Sequence, residues 1–143
     1  MVELSKIGPV GGSGGETYAF AIPKDKRIVE VVAHADWYVD GLICYHSLIT
    51  DDVPYIGGDG GVENVFVLAP DEYITGLSGR YGIYIDTIKI HTNKRESIEI
   101  GGHGDGGEFD YALMAPEGHE VVGLFGTASH VVNSMGIITR SLP

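Results

Sequence analysis

The chain has 143 residues, 43% of them hydrophobic, which suits one domain with a sizeable core and excludes a disordered chain. Its 22 glycines are clustered rather than placed at every third position, so a collagen-like rod is excluded. Nine Lys and Arg against 20 Asp and Glu give a net charge of −11, which argues against nucleic acid or an anionic membrane as a partner.

Along the chain, Met1-Val2-Glu3-Leu4-Ser5-Lys6 has no apolar stretch of the signal-peptide kind, and cytoplasmic residence is expected. A first glycine cluster, Gly11-Gly12-Ser13-Gly14-Gly15, leads into the strand-like alternation Tyr18-Phe20-Ile22. Ile28-Val29-Glu30-Val31 and Leu42-Ile43-Cys44-Tyr45 read as further strands. Cys44 is the single cysteine, so no internal disulfide forms, and burial as an inert thiol is expected. A second cluster, Gly57-Gly58-Asp59-Gly60-Gly61, precedes Val62-Val65-Val67-Leu68 and Ile74-Thr75-Gly76-Leu77. Gly82-Ile83-Tyr84-Ile85-Asp86 then reads as a tight loop opening the alternating run Ile83-Ile85-Thr87-Ile88-Ile90. A third cluster, Gly101-Gly102-His103-Gly104-Asp105-Gly106-Gly107, precedes the last apolar run, Val121-Val122-Gly123-Leu124. Pro23, Pro54, Pro70 and Pro116 punctuate the runs. No stretch carries a trustworthy helical period, so the chain is expected to be all-β.

These features repeat. Gly15, Gly61 and Gly107 are spaced by 46 and 46 residues, and Asp40, Asp86 and Asn133 by 46 and 47. One domain over residues 1–143 is expected, with repeats at about 11–50, 57–95 and 101–140. Each unit reads as glycine loop, strand, turn, strand, short loop, strand, or about four short strands. A single small sheet cannot cover its own apolar face, but three can pack their inner faces about a common axis. The expected architecture is a three-sided prism of three four-stranded antiparallel sheets with internal pseudo-threefold symmetry.

The three glycine clusters, in register with Gly82-x-x-x-Asp86 leading into Ile88-Lys89-Ile90, resemble the jacalin-related lectins, in particular their mannose-binding branch. The similarity runs from about Ile7 to Thr139. It implies the β-prism I fold and a sugar held between a glycine loop and the G-x-x-x-D turn of a neighbouring repeat. Carried over, Gly107 serves Gly82, Ile83, Tyr84 and Asp86 in the most complete site. Gly61 serves Asp36, Trp37, Tyr38 and Asp40 in a second. Gly15 serves Ser129, His130, Val131 and Asn133 in a degenerate third.

The residue types suit the task. An ionised Asp only accepts, and it takes donors from sugar hydroxyls in short charge-assisted bonds. Backbone N–H groups of the loop supply the complementary donors, and glycine lets the sugar approach the backbone. Tyr84 offers an apolar wall. Asp36 stands where the family has glycine, adding a second charge that either accepts a hydroxyl or blocks entry; Trp37 and Tyr38 offer stacking or a rim. Ser129 and Asn133 replace glycine and aspartate, which removes the charge-assisted bond. The resemblance therefore implies a lectin for mannose- or glucose-type glycans, without metal, cofactor or catalysis. It also implies a homodimer. Galactose binding in the family accompanies a chain cut at the first glycine loop, whereas here residues precede Gly11 without a break. Asp86→Ala is expected to abolish most glycan binding and Asn133→Ala to change little.

Other signals are weaker. Residues 102–107 satisfy G-x-G-x-x-G but open no helix, which fails the context of a dinucleotide site. Turn chemistry explains Asp59 and Asp105 better than calcium does. Two rival readings stay open on the residues alone. Asp36 and Asp40 could imitate a glycosidase pair, or the prism could be a structural or protein-binding domain with decayed sugar sites.

Overall fold

The computed structural model describes residues 3–46, 53–102 and 107–143. Residues 103–106 of the third glycine loop, Asp105 and Gly106 among them, lie outside the described residues, as do residues 47–50 at the end of the first repeat.

Among the described residues there are twelve strands and no helix. One sheet joins β1 (Ser5–Gly11), β12 (Val132–Ser141), β11 (His119–Ala128) and β2 (Glu16–Ala21), in that order. A second joins β5 (Tyr55–Gly57), β4 (Val39–Tyr45), β3 (Glu30–Ala35) and β6 (Val62–Val67). The third joins β10 (Phe109–Met114), β7 (Ile74–Tyr81), β8 (Thr87–Thr92) and β9 (Ile100–Gly101). All pairings are antiparallel.

The folding unit is not the unit that repeats along the chain. In each sheet a hairpin (β11–β12, β3–β4 or β7–β8) forms the middle, and the two outer strands are consecutive in sequence, with a glycine cluster between them. A 46-residue repeat therefore begins in one sheet and ends in the next. The first repeat contributes its β2 to the β1–β12–β11–β2 sheet, but its β3 and β4 lie in the next. Both ends of the chain meet in one sheet, where Ser5 pairs with Thr139.

The alternation of each inner strand sets the core. Val31, Ala33 and Ala35 of β3, Leu42 and Cys44 of β4, Ile88 and Ile90 of β8, and Met135 and Ile137 of β12 point into one cluster. Cys44 is buried there, and burial pushes its thiol pKa up to about 12, so it is an inert core residue.

At one end of the prism the three hairpin turns are tied together on the axis. Val39 N–H donates to the Ile85 carbonyl and Ile85 N–H to the Val132 carbonyl, both at 2.9 Å. All three residues are fully buried, and each immediately precedes the acid or amide of its repeat. At this junction the pseudo-threefold axis fixes Asp40, Asp86 and Asn133 at the same end of the molecule.

Two buried carboxylates lie away from this end and are held by cations. Glu120 receives Arg27 at 2.9 and 3.2 Å, with Arg140 at 3.6 Å. Glu72 accepts from Arg95 Nε at 2.9 Å, Thr92 Oγ1 at 2.6 Å and the Ala69 N–H at 2.9 Å.

Candidate functional site

Each hairpin turn is closed in the same way. Asp36 N–H donates to the Tyr38 carbonyl at 3.0 Å, Gly82 N–H to that of Tyr84 at 2.9 Å, and Ser129 N–H to that of Val131 at 2.8 Å. The last glycine of the same sheet's loop, Gly61, Gly107 or Gly15, then lies against Asp40, Asp86 or Asn133 just past the turn. Three cups result, one per sheet, and in each a sequence-expected pair comes together.

In the β7–β8 cup the loop backbone sits against the Asp86 carboxylate. A β-carbon at Gly107 (φ +58°) would stand 2.6 Å from Asp86 Oδ2 and 2.8 Å from the Tyr81 nitrogen. At Gly82 a β-carbon would stand 3.8 Å from Asp86 Oδ2, with nothing nearer among the described residues. Gly107 is thus demanded by the fold, whereas Gly82 keeps the mouth of the cup open. Asp86 is only 6% exposed, and its carboxylate accepts no hydrogen bond among the described residues. Burial raises its pKa above the ordinary value, partly offset by the positive charge of Arg80. Ile83 is exposed, and Tyr84 is half-buried with its ring edge-on to Tyr38 at 4.8 Å.

The β3–β4 cup repeats this geometry. A β-carbon at Gly61 (φ +74°) would lie 2.6 Å from Asp40 Oδ2 and 2.6 Å from the Ala35 carbonyl carbon. Asp40 has its pKa raised by burial and by the charge of Asp36, with His130 and His34 acting the other way. Asp36, Trp37 and Tyr38 are exposed around the cup.

In the β11–β12 cup a β-carbon at Gly15 (φ +88°) would lie 2.7 Å from Asn133 Oδ1. The Asn133 acceptor is already engaged, because Ser129 Oγ donates to Oδ1 at 2.8 Å. His130 is exposed, but Val131 is 3% exposed, so its side chain packs inward and only its backbone faces the turn.

The cups are neighbours sharing walls. A β-carbon at Gly12 would stand 2.1 Å from the Ile83 carbonyl oxygen, and one at Gly58 would stand 2.3 Å from that of His130. Each of these glycine loops therefore rests directly on the turn of an adjacent sheet. Sequence reasoning named Gly107 but missed the two residues after it. Glu108 and Phe109 line a groove with Gly82, Ile83 and Tyr84, and only their place just past the loop glycine could have signalled this. Among the described residues no three His, Cys, Asp or Glu side chains are grouped so as to hold a metal ion.

This geometry has known counterparts. The Jacalin-like lectin domain profile matches residues 7–138. Horcolin of Hordeum vulgare is 29% identical over 146 residues, covering 95% of this chain and 97% of that protein. The mannose/glucose-specific lectin of Parkia platycephala is 27% identical over 152 residues, covering 98% of this chain and 33% of that larger protein. Among solved structures, wild-type Malaysian banana lectin superposes with a TM-score of 0.83 at 21% identity, covering 98% of this chain and 100% of that one. This last likeness bears on the fold alone.

Proposed function

Because the chain belongs to the jacalin-like lectin family, we propose that it binds mannose- and glucose-type glycans through the Asp86 and Asp40 cups. It is a carbohydrate-binding β-prism lectin, and its family is non-enzymatic. The observation that carries the finer reading is Asp86, a carboxylate 6% exposed and without a hydrogen-bond partner among the described residues, lying against a glycine-loop backbone. Its oxygens are not among the buried polar atoms sealed without a partner, so they stay open to donors from a ligand. Two sugar hydroxyls would satisfy it, with loop N–H groups donating in return. Parkia lectin, specific for mannose and glucose by name, supports the choice of sugar.

Asp86 and Gly82 form the principal site, with Gly107 seating the loop and Ile83 and Tyr84 as its wall. Asp40 with Gly61, Asp36, Trp37 and Tyr38 forms the second. Gly15, Ser129, His130, Val131 and Asn133 form a cup too preoccupied to grip a hexose alone. A shallow contact of this size holds one sugar at millimolar to sub-millimolar affinity, about 4–5 kcal/mol. Several cups on one end, doubled by a homodimer, would raise avidity. The cross-strand row Tyr55, Ile43, Val32 and Val65 supports dimerisation through an outer sheet face. No nucleic acid or inserted membrane is a partner of so acidic a chain.

Calorimetric titration with methyl α-mannoside tests this reading. Saturable binding that Asp86→Ala removes at the principal site is expected; undiminished binding by that variant overturns the assignment. Sedimentation velocity tests the homodimer, which Val65→Lys should dissociate.

A further inference from the structure

We propose that the end of the prism opposite the sugar cups carries a second binding site, for a tetrahedral oxyanion such as a phosphate or sulfate group. β2 leaves the Gly15 loop and ends at Ala21, and β12 begins at Val132 and ends at Ser141, so the segments beyond both lie at the far end. There Lys24, Lys26, Arg27 and Arg140 line one groove of about 320 Å³. That volume suits a small ligand, for which about 300–1,000 Å³ is usual. Four of the chain's nine Lys and Arg residues thus meet at one place in a molecule of net charge −11.

The charges form two layers. In the floor, buried Glu120 balances only one of the two guanidiniums beside it, those of Arg27 and Arg140. Arg140, itself 7% exposed, donates to the carbonyls of Pro23, Lys24 and Lys26, and so fixes the turn that carries both lysines. Arg27 gives Nε and Nη2 to Glu120 and lies over the Tyr73 ring at 5.2 Å, while its Nη1 has no hydrogen-bond partner among the described residues. On the rim, Lys24 and Lys26 are exposed and make no ion pair among the described residues. Elsewhere Arg80, Lys89, Lys94 and Arg95 each face a carboxylate. Asp25 also lines the groove, yet the four cations outnumber the side-chain carboxylates Glu120 and Asp25. An anion entering here meets charge that no existing ion pair must give up. Arginine presents a fork of donors that matches a tetrahedral oxyanion, and lysine adds charge without fixed geometry. The groove is separate from the cups, so it stands apart from the lectin reading.

The test titrates the isotope-labelled full chain with inorganic phosphate, pyrophosphate and inorganic sulfate, each against chloride at equal ionic strength. Backbone amide resonances of residues 24–27 should move and saturate, while that of Asp86 stays still. Lys24→Ala combined with Lys26→Ala, at two exposed turn positions, should weaken the tightest of the three anions about tenfold. Phosphate or pyrophosphate binding tighter than sulfate assigns a phosphate ester as the ligand, and sulfate binding as tightly or tighter assigns a sulfate ester. Equal movement with chloride, movement that never saturates, or an affinity that the double variant leaves within about twofold overturns the site.

Discussion

Gly82 faces Asp86 across an open gap: a β-carbon added there would stand 3.8 Å from Oδ2 and touch nothing closer among the described residues. Its backbone is outside the positive-φ region that favours glycine. Nothing among the described residues therefore demands a glycine there, and the proposed site uses the space it leaves. Gly82→Ala should leave stability within about 0.5 kcal/mol yet weaken methyl α-mannoside at least about tenfold. Gly107→Ala should behave in the opposite way. At φ +58° with a clash against Oδ2, it should cost about 1–2 kcal/mol of stability. Paired chemical denaturation and calorimetry separate the two. A Gly82→Ala protein with full affinity would show that the mouth of the cup is unused.

Asp86 links binding to pH. Burial raises its folded pKa above the ordinary 3.8, so the folded state binds this proton more tightly than the unfolded chain does. Its contribution to stability is complete below the unfolded pKa and is lost as pH rises through the folded value. At neutral pH the ionised group is a net burden on the empty protein. Asp86→Asn should therefore raise the melting temperature at pH 7 while abolishing sugar binding at the principal site. Affinity of the wild type should fall as acid protonates Asp86, beginning above the pH of an ordinary aspartate. A melting temperature lowered by Asp86→Asn would contradict this electrostatic account.

Glu72 has the opposite sign. Its hydrogen bond from Arg95 leads the causes that hold its pKa at about 2, below the ordinary 4.5. The stability it contributes is present above 4.5 and is lost as pH falls toward 2. Glu72→Gln should flatten the acid limb of the stability curve in that window and lower stability at pH 7. Thermal melts between pH 2 and pH 7 would show it, and an unchanged acid limb would assign that limb to other carboxylates.

Ser129 Oγ occupies Asn133 Oδ1 at 2.8 Å, the position in which the other cups carry an aspartate oxygen. Replacing both residues by those of the β7–β8 turn, Ser129→Gly with Asn133→Asp, should open the β11–β12 cup. The calorimetric stoichiometry for methyl α-mannoside should rise by one per chain. An unchanged stoichiometry would mean that a feature other than this internal bond closes the cup.

Much of this protein is legible in its residues. The shared period of glycines, acids and apolar runs indicates three alike units, and the alternation Ile83-Ile85 and Ile88-Ile90 marks strands with one buried face. The absence of a helical period predicts an all-β chain. Local spacing carries this information because side-chain direction alternates along a strand and glycine conformation is a property of single residues.

The period alone does not say which loop meets which turn, and the tertiary structure decided that. Each sheet takes its central hairpin from one stretch and its outer strands from another, so Gly15 reaches Asn133 across 118 positions while Gly61 reaches Asp40 across 21. It also decided that Gly82 is spared by the fold while Gly107 is required by it, and that Val131 points inward. These depend on which backbone lies against which carboxylate. A glycine reads the same in sequence whether the missing β-carbon makes room for the protein or for its ligand.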